Sequence, residues 1–226
     1  VEIEFAGMIQ PNGELKGHLY WLQIRPIVDR KELVDGRMMS LPDDKLLLRS
    51  DTALGHGNIE GVRHIVYVKP ENFSSTNNGL IAREIEKINR RFTADGNNYV
   101  LIGPGRWGSS DPALGIPVKW PHISSAKLIV ESSLSSYRIE PSQGTHFFQN
   151  LTSMGVGYFT IDTSGGSGMF DVGYLDSMPA VEETDFVRIV EFPSPLTIGI
   201  NGLKGIGVVV KPGQTLSDNT NSSSCQ

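Results

Sequence analysis

Alternation between hydrophobic and polar residues predicts a β-hairpin at the start of the chain. Residues 1–6 alternate between hydrophobic and acidic side chains, which is the period-two pattern of a half-buried strand. A Pro-Asn-Gly turn follows at residues 11–13. A second strand is expected over residues 18–25, before Pro26. The first part of the chain is therefore predicted to form two antiparallel strands joined by a long loop.

A helical period replaces this alternation at residues 80–92. Hydrophobic Ile81, Ile85, Ile88 and Phe92 lie at positions i, i+4, i+7 and i+11, and charged residues occupy most positions between them. This spacing predicts an amphipathic helix that buries its hydrophobic stripe and exposes its charged face to solvent.

Short strands separated by Gly and Pro are expected over most of the remaining chain. A second helix is predicted at 145–154, ending at Gly155, and 127–131 is compatible with a strand or a short helix. Many strands and two helices predict an α+β fold with mixed β-sheets and few helices. The further strands are expected at 45–49, 64–69, 99–102, 137–139, 156–161, 186–192, 196–200 and 206–210.

Composition narrows the possible classes of protein. The net charge of −5 argues against a general electrostatic grip on nucleic acid, so no nucleic-acid partner is expected. No run approaches the roughly 18 apolar residues of a membrane-spanning helix, so no membrane partner is expected either. The single cysteine, Cys225, excludes a disulfide framework and a cysteine-based zinc site. Because the chain starts at Val1 within a strand, without an initiator Met, we expect a piece of a longer protein.

The first candidate site is formed by Glu4, Gln23 and Arg25 on the predicted hairpin. Carboxylate and amide oxygens are hard ligands that suit Mg²⁺, and an arginine fork suits a terminal phosphate. An ordinary solvent-exposed strand face is the alternative, because such triplets are common on protein surfaces.

A resemblance favours the first interpretation. Glu-Ile-Glu-Phe-Ala at 2–6 and Leu-Tyr-Trp-Leu-Gln-Ile-Arg-Pro at 19–26 resemble the end of an ATP-grasp nucleotide-binding domain. The family is that of phosphoenolpyruvate synthase and pyruvate, phosphate dikinase. The resemblance implies that ATP and Mg²⁺ are bound, that Glu4 and Gln23 are metal ligands, and that Arg25 contacts phosphate.

The second candidate is His146, which follows Gly144 and Thr145 at the start of the second predicted helix. A helix N-terminus favours neutral imidazole, and its free N–H groups stabilise a phosphoryl dianion. The alternative is a structural histidine beside the aromatic pair at 147–148. The surrounding sequence is loosely similar to the swivelling phosphohistidine domain of the same family, which implies that His146 is the catalytic phosphoryl carrier.

The third candidate is the glycine-rich segment at 103–111. Gly103 and Gly105 with Arg106 could bind a phosphate through backbone N–H groups and the guanidinium. It is not a Walker A loop, because no Gly-Lys-Ser/Thr follows. The alternative is a tight structural loop on which Trp107 packs.

These features predict a cytoplasmic, ATP-dependent phosphotransferase of which this chain is a C-terminal part. The phosphoryl group would pass from ATP through a histidine to pyruvate or a similar small acceptor, and the N-terminal ATP-grasp portion would be missing. The alternative is a non-catalytic regulatory or assembly module attached to an ATP-grasp domain. The expected divisions are an ATP-grasp hairpin at 1–28, a connector at 29–54, a β-rich phosphohistidine-like domain at 55–212 and a disordered tail at 213–226.

Overall fold

The chain divides into two compact units, Val1–Lys31 and Glu32–Gln226. The computed structural model of the protein describes residues 2–9, 15–25, 36–133, 151, 154–162 and 165–214. The predicted strand at 137–139, most of the predicted helix at 145–154 and the tail from 215 onward lie outside these residues.

The first unit contains the predicted hairpin. Strand β1 (Glu2–Ile9) pairs in antiparallel fashion with β2 (Leu15–Arg25), so the second strand begins at Leu15 rather than at 18. The register shifts between Glu4 and Phe5, where a β-bulge leaves Leu22 unpaired and brings Phe5 opposite Trp21. This bulge could not be read from the alternation of residue types.

The bulge separates a polar face of the hairpin from an apolar one. Because neighbouring residues of a strand point to opposite faces, Phe5 and its partner Trp21 lie on the face opposite to Glu4. Ile24 and Leu19 share that apolar face by register. Both aromatic side chains are 60% exposed.

The second unit is built from short strands and three described helices, as the α+β prediction requires. The helices are α1 (Gly36–Met39), α2 (Asn78–Ala94) and α3 (Val172–Ser177). The strands are β3 (Leu46–Ser50), β4 (Gly57–Ile59), β5 (His64–Val68), β6 (Tyr99–Pro104), β7 (Arg106–Trp107), β8 (Gly115–Ile116), β9 (Ala126–Ser132), β10 (Gly157–Ile161), β11 (Met169–Phe170), β12 (Ala180–Glu183), β13 (Val187–Glu191), β14 (Thr197–Asn201) and β15 (Ile206–Val210).

A six-stranded mixed sheet forms the middle of this unit. Its order is β10-β9-β6-β5-β13-β12, and β5, β6, β9 and β10 run parallel to one another. The carboxyl ends of these four strands therefore lie along one edge, which we call the carboxyl edge. The antiparallel strands β13 and β12 complete the sheet.

A five-stranded antiparallel sheet, in the order β11-β3-β15-β14-β4, packs on one face of the six-stranded sheet. Its β3 falls within the segment 29–54 that the sequence analysis describes as a connector. Leu46, Leu47 and Leu48 are fully buried, so residues 46–50 belong to the core of the second unit.

Helix α2 covers the opposite face of the six-stranded sheet. The predicted stripe is confirmed, because Ile81, Ile85, Ile88 and Phe92 are all buried in one cluster with side chains of the sheet. The helix extends from Asn78 to Ala94, slightly beyond the predicted bounds. The sheet therefore has no solvent-exposed face over its central strands.

A buried polar network fixes α2 at its carboxyl-terminal half. Asn89 Oδ1 accepts hydrogen bonds from the Tyr99 hydroxyl at 2.9 Å and from the Ser125 N–H at 2.9 Å. Its amide group donates to the Pro121 carbonyl oxygen and to Ser124 Oγ. Burial raises the pKa of Tyr99 far above its usual value, so this hydroxyl remains a hydrogen-bond donor.

Gly207 on β15 packs directly against β10 of the other sheet. A Cβ atom on this residue would lie 2.1 Å from Phe159 Cε1 on β10. Gly79 in α2 offers a contrast, because a Cβ atom there would meet nothing within 4 Å.

We predict that Gly207→Ala lowers the free energy of unfolding by about 1–3 kcal/mol, because Phe159 must be displaced from a packed core. The matched variant Gly79→Ala should be neutral or stabilise by up to about 1 kcal/mol, since it only reduces the freedom of the unfolded chain. Urea unfolding of both variants measures this. Equal effects would show that the sheets do not pack as described.

An ion pair ties the end of β15 to the start of α3. Lys211 Nζ lies 2.6 Å from Asp171 Oδ2, donates to the Asp44 carbonyl oxygen at 2.8 Å, and lies over the Tyr174 ring. Asp171 also caps α3 by accepting the Tyr174 N–H. The hydrogen bond from Lys211, followed by that from the Tyr174 backbone, lowers the pKa of the Asp171 carboxyl.

Lys211→Met should therefore raise the pKa of Asp171. It should lower the free energy of unfolding by about 1 kcal/mol at neutral pH, because solvent partly screens this ion pair. A lowered native pKa contributes stability above the unfolded value of about 3.9, and that contribution disappears as the pH falls through the native pKa. The difference between wild type and variant should thus shrink below about pH 4. Urea unfolding across pH checks this, with Asp171→Asn as the variant that keeps the cap but removes the charge. A difference that stays constant down to pH 2 would contradict the prediction.

Candidate functional site at the carboxyl edge

The carboxyl edge is the natural place for a site in the second unit, because ligands of parallel sheets bind outside the carboxyl ends of the strands. Lys69 follows β5, the glycine-rich loop follows β6, Ser133 follows β9 and Asp162 follows β10. The predicted site residues Gly103, Gly105 and Arg106 thus lie at this edge.

Lys69 forms an ion pair at this edge of the sheet. Its Nζ lies 2.8 Å from Glu183 Oε1, and Arg188 also pairs with that carboxylate. The hydrogen bond from Lys69 lowers the pKa of Glu183. These contacts join β5 to β12 and β13 and give Lys69 a structural role.

Trp107 anchors the glycine-rich loop against β9. Its side chain is buried and its indole Nε1 donates to the Val130 carbonyl oxygen at 2.9 Å. Its backbone N–H donates to Glu131 Oε1 at 3.0 Å. Further hydrogen bonds run from the Gly105 N–H to the Ser132 carbonyl oxygen and from Ser132 Oγ to the Gly103 carbonyl oxygen.

Glycine is required at two points where this loop folds back on itself. A Cβ atom on Gly103 would lie 2.5 Å from Trp107 Cζ2, so the indole occupies the space of a side chain. Gly105 has a φ of +73°, a conformation that other residues rarely adopt.

The backbone N–H groups of residues 105–108 are already satisfied within the protein. Those of Gly105 and Trp107 bind β9, and those of Arg106 and Gly108 donate to the carbonyl oxygens of Leu114 and Ile116 at 3.0 and 2.9 Å. The N–H groups of residues 105–108 are therefore not free to cradle a phosphate, and the assignment of Gly103, Gly105 and Arg106 to phosphate binding stays a prediction. Arg106 itself is half-buried.

The sequence analysis did not select Glu131, which the structure places at the base of the loop. Its side chain is only 3% exposed, at the carboxyl end of a central parallel strand. The available indication was a lone acidic residue after the hydrophobic run at 128–130, in a segment assigned to strand or helix.

Two buried polar atoms near the carboxyl edge have no hydrogen-bond partner in the part of the chain that the structure describes. They are Ser133 Oγ, directly after β9, and Oδ1 of Asn78, whose amide group donates to the Pro112 carbonyl oxygen. Unsatisfied buried groups are rare in folded proteins. Arg49 Nε and Asn58 Oδ1 in the five-stranded sheet are unsatisfied in the same way, so these atoms do not single out the carboxyl edge.

The hairpin residues are brought together by backbone register. Glu4 lies directly opposite Gln23, and Glu2 lies directly opposite Arg25. Directly opposite residues of an antiparallel pair share a face, as do alternate residues of one strand. The backbone therefore places Glu4, Gln23 and Arg25 on the polar face of the hairpin.

His146 lies outside the described residues, in the segment 134–150 that follows Ser133 at the carboxyl edge. Three of the other four histidines have structural contacts among the described residues. Nδ1 of His56 accepts a hydrogen bond from the Gly202 N–H, and Nδ1 of His122 accepts one from the Lys119 N–H. Nε2 of His64 lies 3.8 Å from Glu191 Oε2. Among the described residues, no group of three or more His, Cys, Asp or Glu could hold a metal ion.

Comparison of the chain with protein-family models, curated proteins and solved structures finds no match. The resemblance to the phosphoenolpyruvate synthase family thus stays a prediction from the motifs at 2–6, 19–26 and 142–157. Within the described ranges, no helix combines the length and hydrophobicity needed to cross a membrane.

We predict that Gly103→Ala displaces the Trp107 indole and breaks its hydrogen bond to Val130. The free energy of unfolding should fall by about 1–3 kcal/mol. The fluorescence emission of the buried tryptophan should shift to the red. Trp107→Phe identifies the contribution of this residue to the spectrum, and the exposed Ser110→Ala is the control. An unchanged spectrum in Gly103→Ala would show that the indole does not pack on Gly103.

Proposed function

We propose that the chain is part of a cytoplasmic, ATP-dependent phosphotransferase that passes a phosphoryl group through His146 to pyruvate or a similar small acceptor. Glu4 and Gln23 would hold Mg²⁺, and Arg25 would contact a phosphate of ATP. Arg106, at the carboxyl edge, would bind a phosphate group in the second unit.

The observation that carries the proposal is the register of the hairpin. Glu4 opposite Gln23 gives two oxygen-bearing side chains on one face, with Arg25 two residues along the same strand. Mg²⁺ prefers such hard oxygen ligands and shares them with phosphates, and a bound ion would neutralise charge on the transferring group.

The apolar face of the hairpin supports its place in a larger nucleotide-binding domain. Two strands alone are marginally stable in water. Phe5, Leu19, Trp21 and Ile24 are all exposed, and burial of these large side chains would stabilise the hairpin. The missing ATP-grasp portion would cover them, and the 226-residue chain alone should bind ATP weakly.

His146 would be the covalent carrier in this scheme. A bond from an imidazole nitrogen to phosphorus forms as the bond from phosphorus to the leaving nucleotide oxygen breaks. The acceptor oxygen then forms a bond to phosphorus as the bond from the imidazole nitrogen to phosphorus breaks, which returns the histidine to its free state.

One observation favours the alternative of a non-catalytic regulatory or assembly module. The loop that carries Arg106 directs its N–H groups into the protein, which is the arrangement of a structural loop. The aromatic pair at 147–148 after His146 is compatible with the same alternative.

We predict that His146→Ala and His146→Asn abolish acid-labile labelling when the full-length protein is incubated with γ- or β-labelled ATP. Arg25→Ala should also prevent labelling, because it removes charge stabilisation of the phosphate and not the acceptor. His122→Ala is the matched control, since its imidazole accepts a hydrogen bond from the Lys119 N–H within its own turn. This variant should take up as much acid-labile label as the wild type.

Two outcomes would contradict parts of this scheme. Label in His146→Ala but not in Arg25→Ala would reject His146 as the carrier and retain the ATP site. Label-free wild-type protein in the presence of Mg²⁺ would favour the non-catalytic module.

A further inference from the structure

Glu131 connects the glycine-rich loop to the six-stranded sheet. Its carboxyl group lies near the carboxyl end of β9, and the residue is buried at 3% exposure. Glu131 and Arg106 each make a further contact within the protein.

The hydrogen bond that Glu131 accepts holds the backbone beside Arg106. Oε1 accepts the N–H of Trp107, the residue that follows Arg106, at 3.0 Å. The Arg106 N–H is held on the other side by the Leu114 carbonyl oxygen at 3.0 Å. Gly115 packs so closely on this strand that a Cβ atom would lie 1.8 Å from the Arg106 carbonyl oxygen.

These contacts fix the backbone at the root of a long and flexible side chain. A guanidinium binds phosphate through two parallel N–H···O bonds, and this fork requires a defined orientation. Fixing the backbone in advance lowers the ordering cost of binding. The N–H groups of residues 105–108 have acceptors within the protein, so the affinity for an anion would depend on how well Arg106 is held.

We propose that Glu131 is a positioning residue, which holds Arg106 at the carboxyl edge so that its guanidinium binds a phosphate group. The inference rests on the proposed function, because it takes Arg106 as the phosphate-binding residue of a phosphotransferase. The ligand class is a phosphate dianion, either free or as the terminal group of a small phosphate ester.

The test measures binding of inorganic phosphate to the 226-residue protein by calorimetry, at temperatures where every variant is folded. Arg106→Gln should abolish binding. Glu131→Ala should weaken it at least tenfold, whereas Glu131→Gln, which keeps an oxygen acceptor for Trp107, should stay within threefold of the wild type.

A stability-matched control separates positioning from general destabilisation. Asn89→Ala breaks the buried network at the opposite end of α2 and should lower stability without changing phosphate affinity. Raised salt should weaken wild-type binding, because the contact is between a guanidinium and an anion.

Wild-type affinity in Glu131→Ala would overturn the proposal, as would equal phosphate binding by Arg106→Gln and the wild type. Equal weakening in Asn89→Ala and Glu131→Ala would also overturn it, because destabilisation alone would then explain the loss. The labelling experiment is independent of these outcomes. Phosphate binding with the expected pattern but no acid-labile label would retain the positioning role and reject the carrier at His146.

Discussion

Coverage of the six-stranded sheet on both faces is the constraint on which the rest of the second unit depends. Helix α2 lies on one face and the five-stranded sheet on the other, so strands β5, β6, β9 and β10 are buried almost throughout. Polar groups cannot be placed on such strands without partners. Chemistry is therefore confined to the ends of the strands, and the parallel arrangement gathers four of those ends at the carboxyl edge.

The loop at this edge is held by hydrogen bonds that occupy its backbone N–H groups. Each N–H group from Gly105 to Gly108 has a partner within the protein, and Trp107 fills the space above Gly103. Such a loop cannot fold around an anion as a flexible glycine-rich loop does. The hydrogen bonds to Glu131 and Leu114 hold the backbone beside Arg106, and our proposal for this residue rests on them.

The hairpin illustrates a different balance between local and distant interactions. Its polar face carries Glu4 opposite Gln23, and its apolar face carries the exposed residues Phe5 and Trp21. A single bulge at Leu22 produces this division, because it transfers Trp21 from the polar to the apolar face. A nucleotide site on the polar face and a supporting domain on the apolar face are the two halves of our proposal.

Sequence alone determined the hairpin, helix α2 and the α+β class, because the spacing of hydrophobic residues directly records which side of an element is buried. It also selected Arg106 through its glycine-rich surroundings. The order of the strands, the place of β3 in the core, the bulge in the hairpin and the contact of Glu131 with Trp107 were decided by tertiary structure. Each depends on which distant backbone supplies a partner, as when Val130 and Glu131 take both N–H groups of Trp107, and a local pattern does not contain that information.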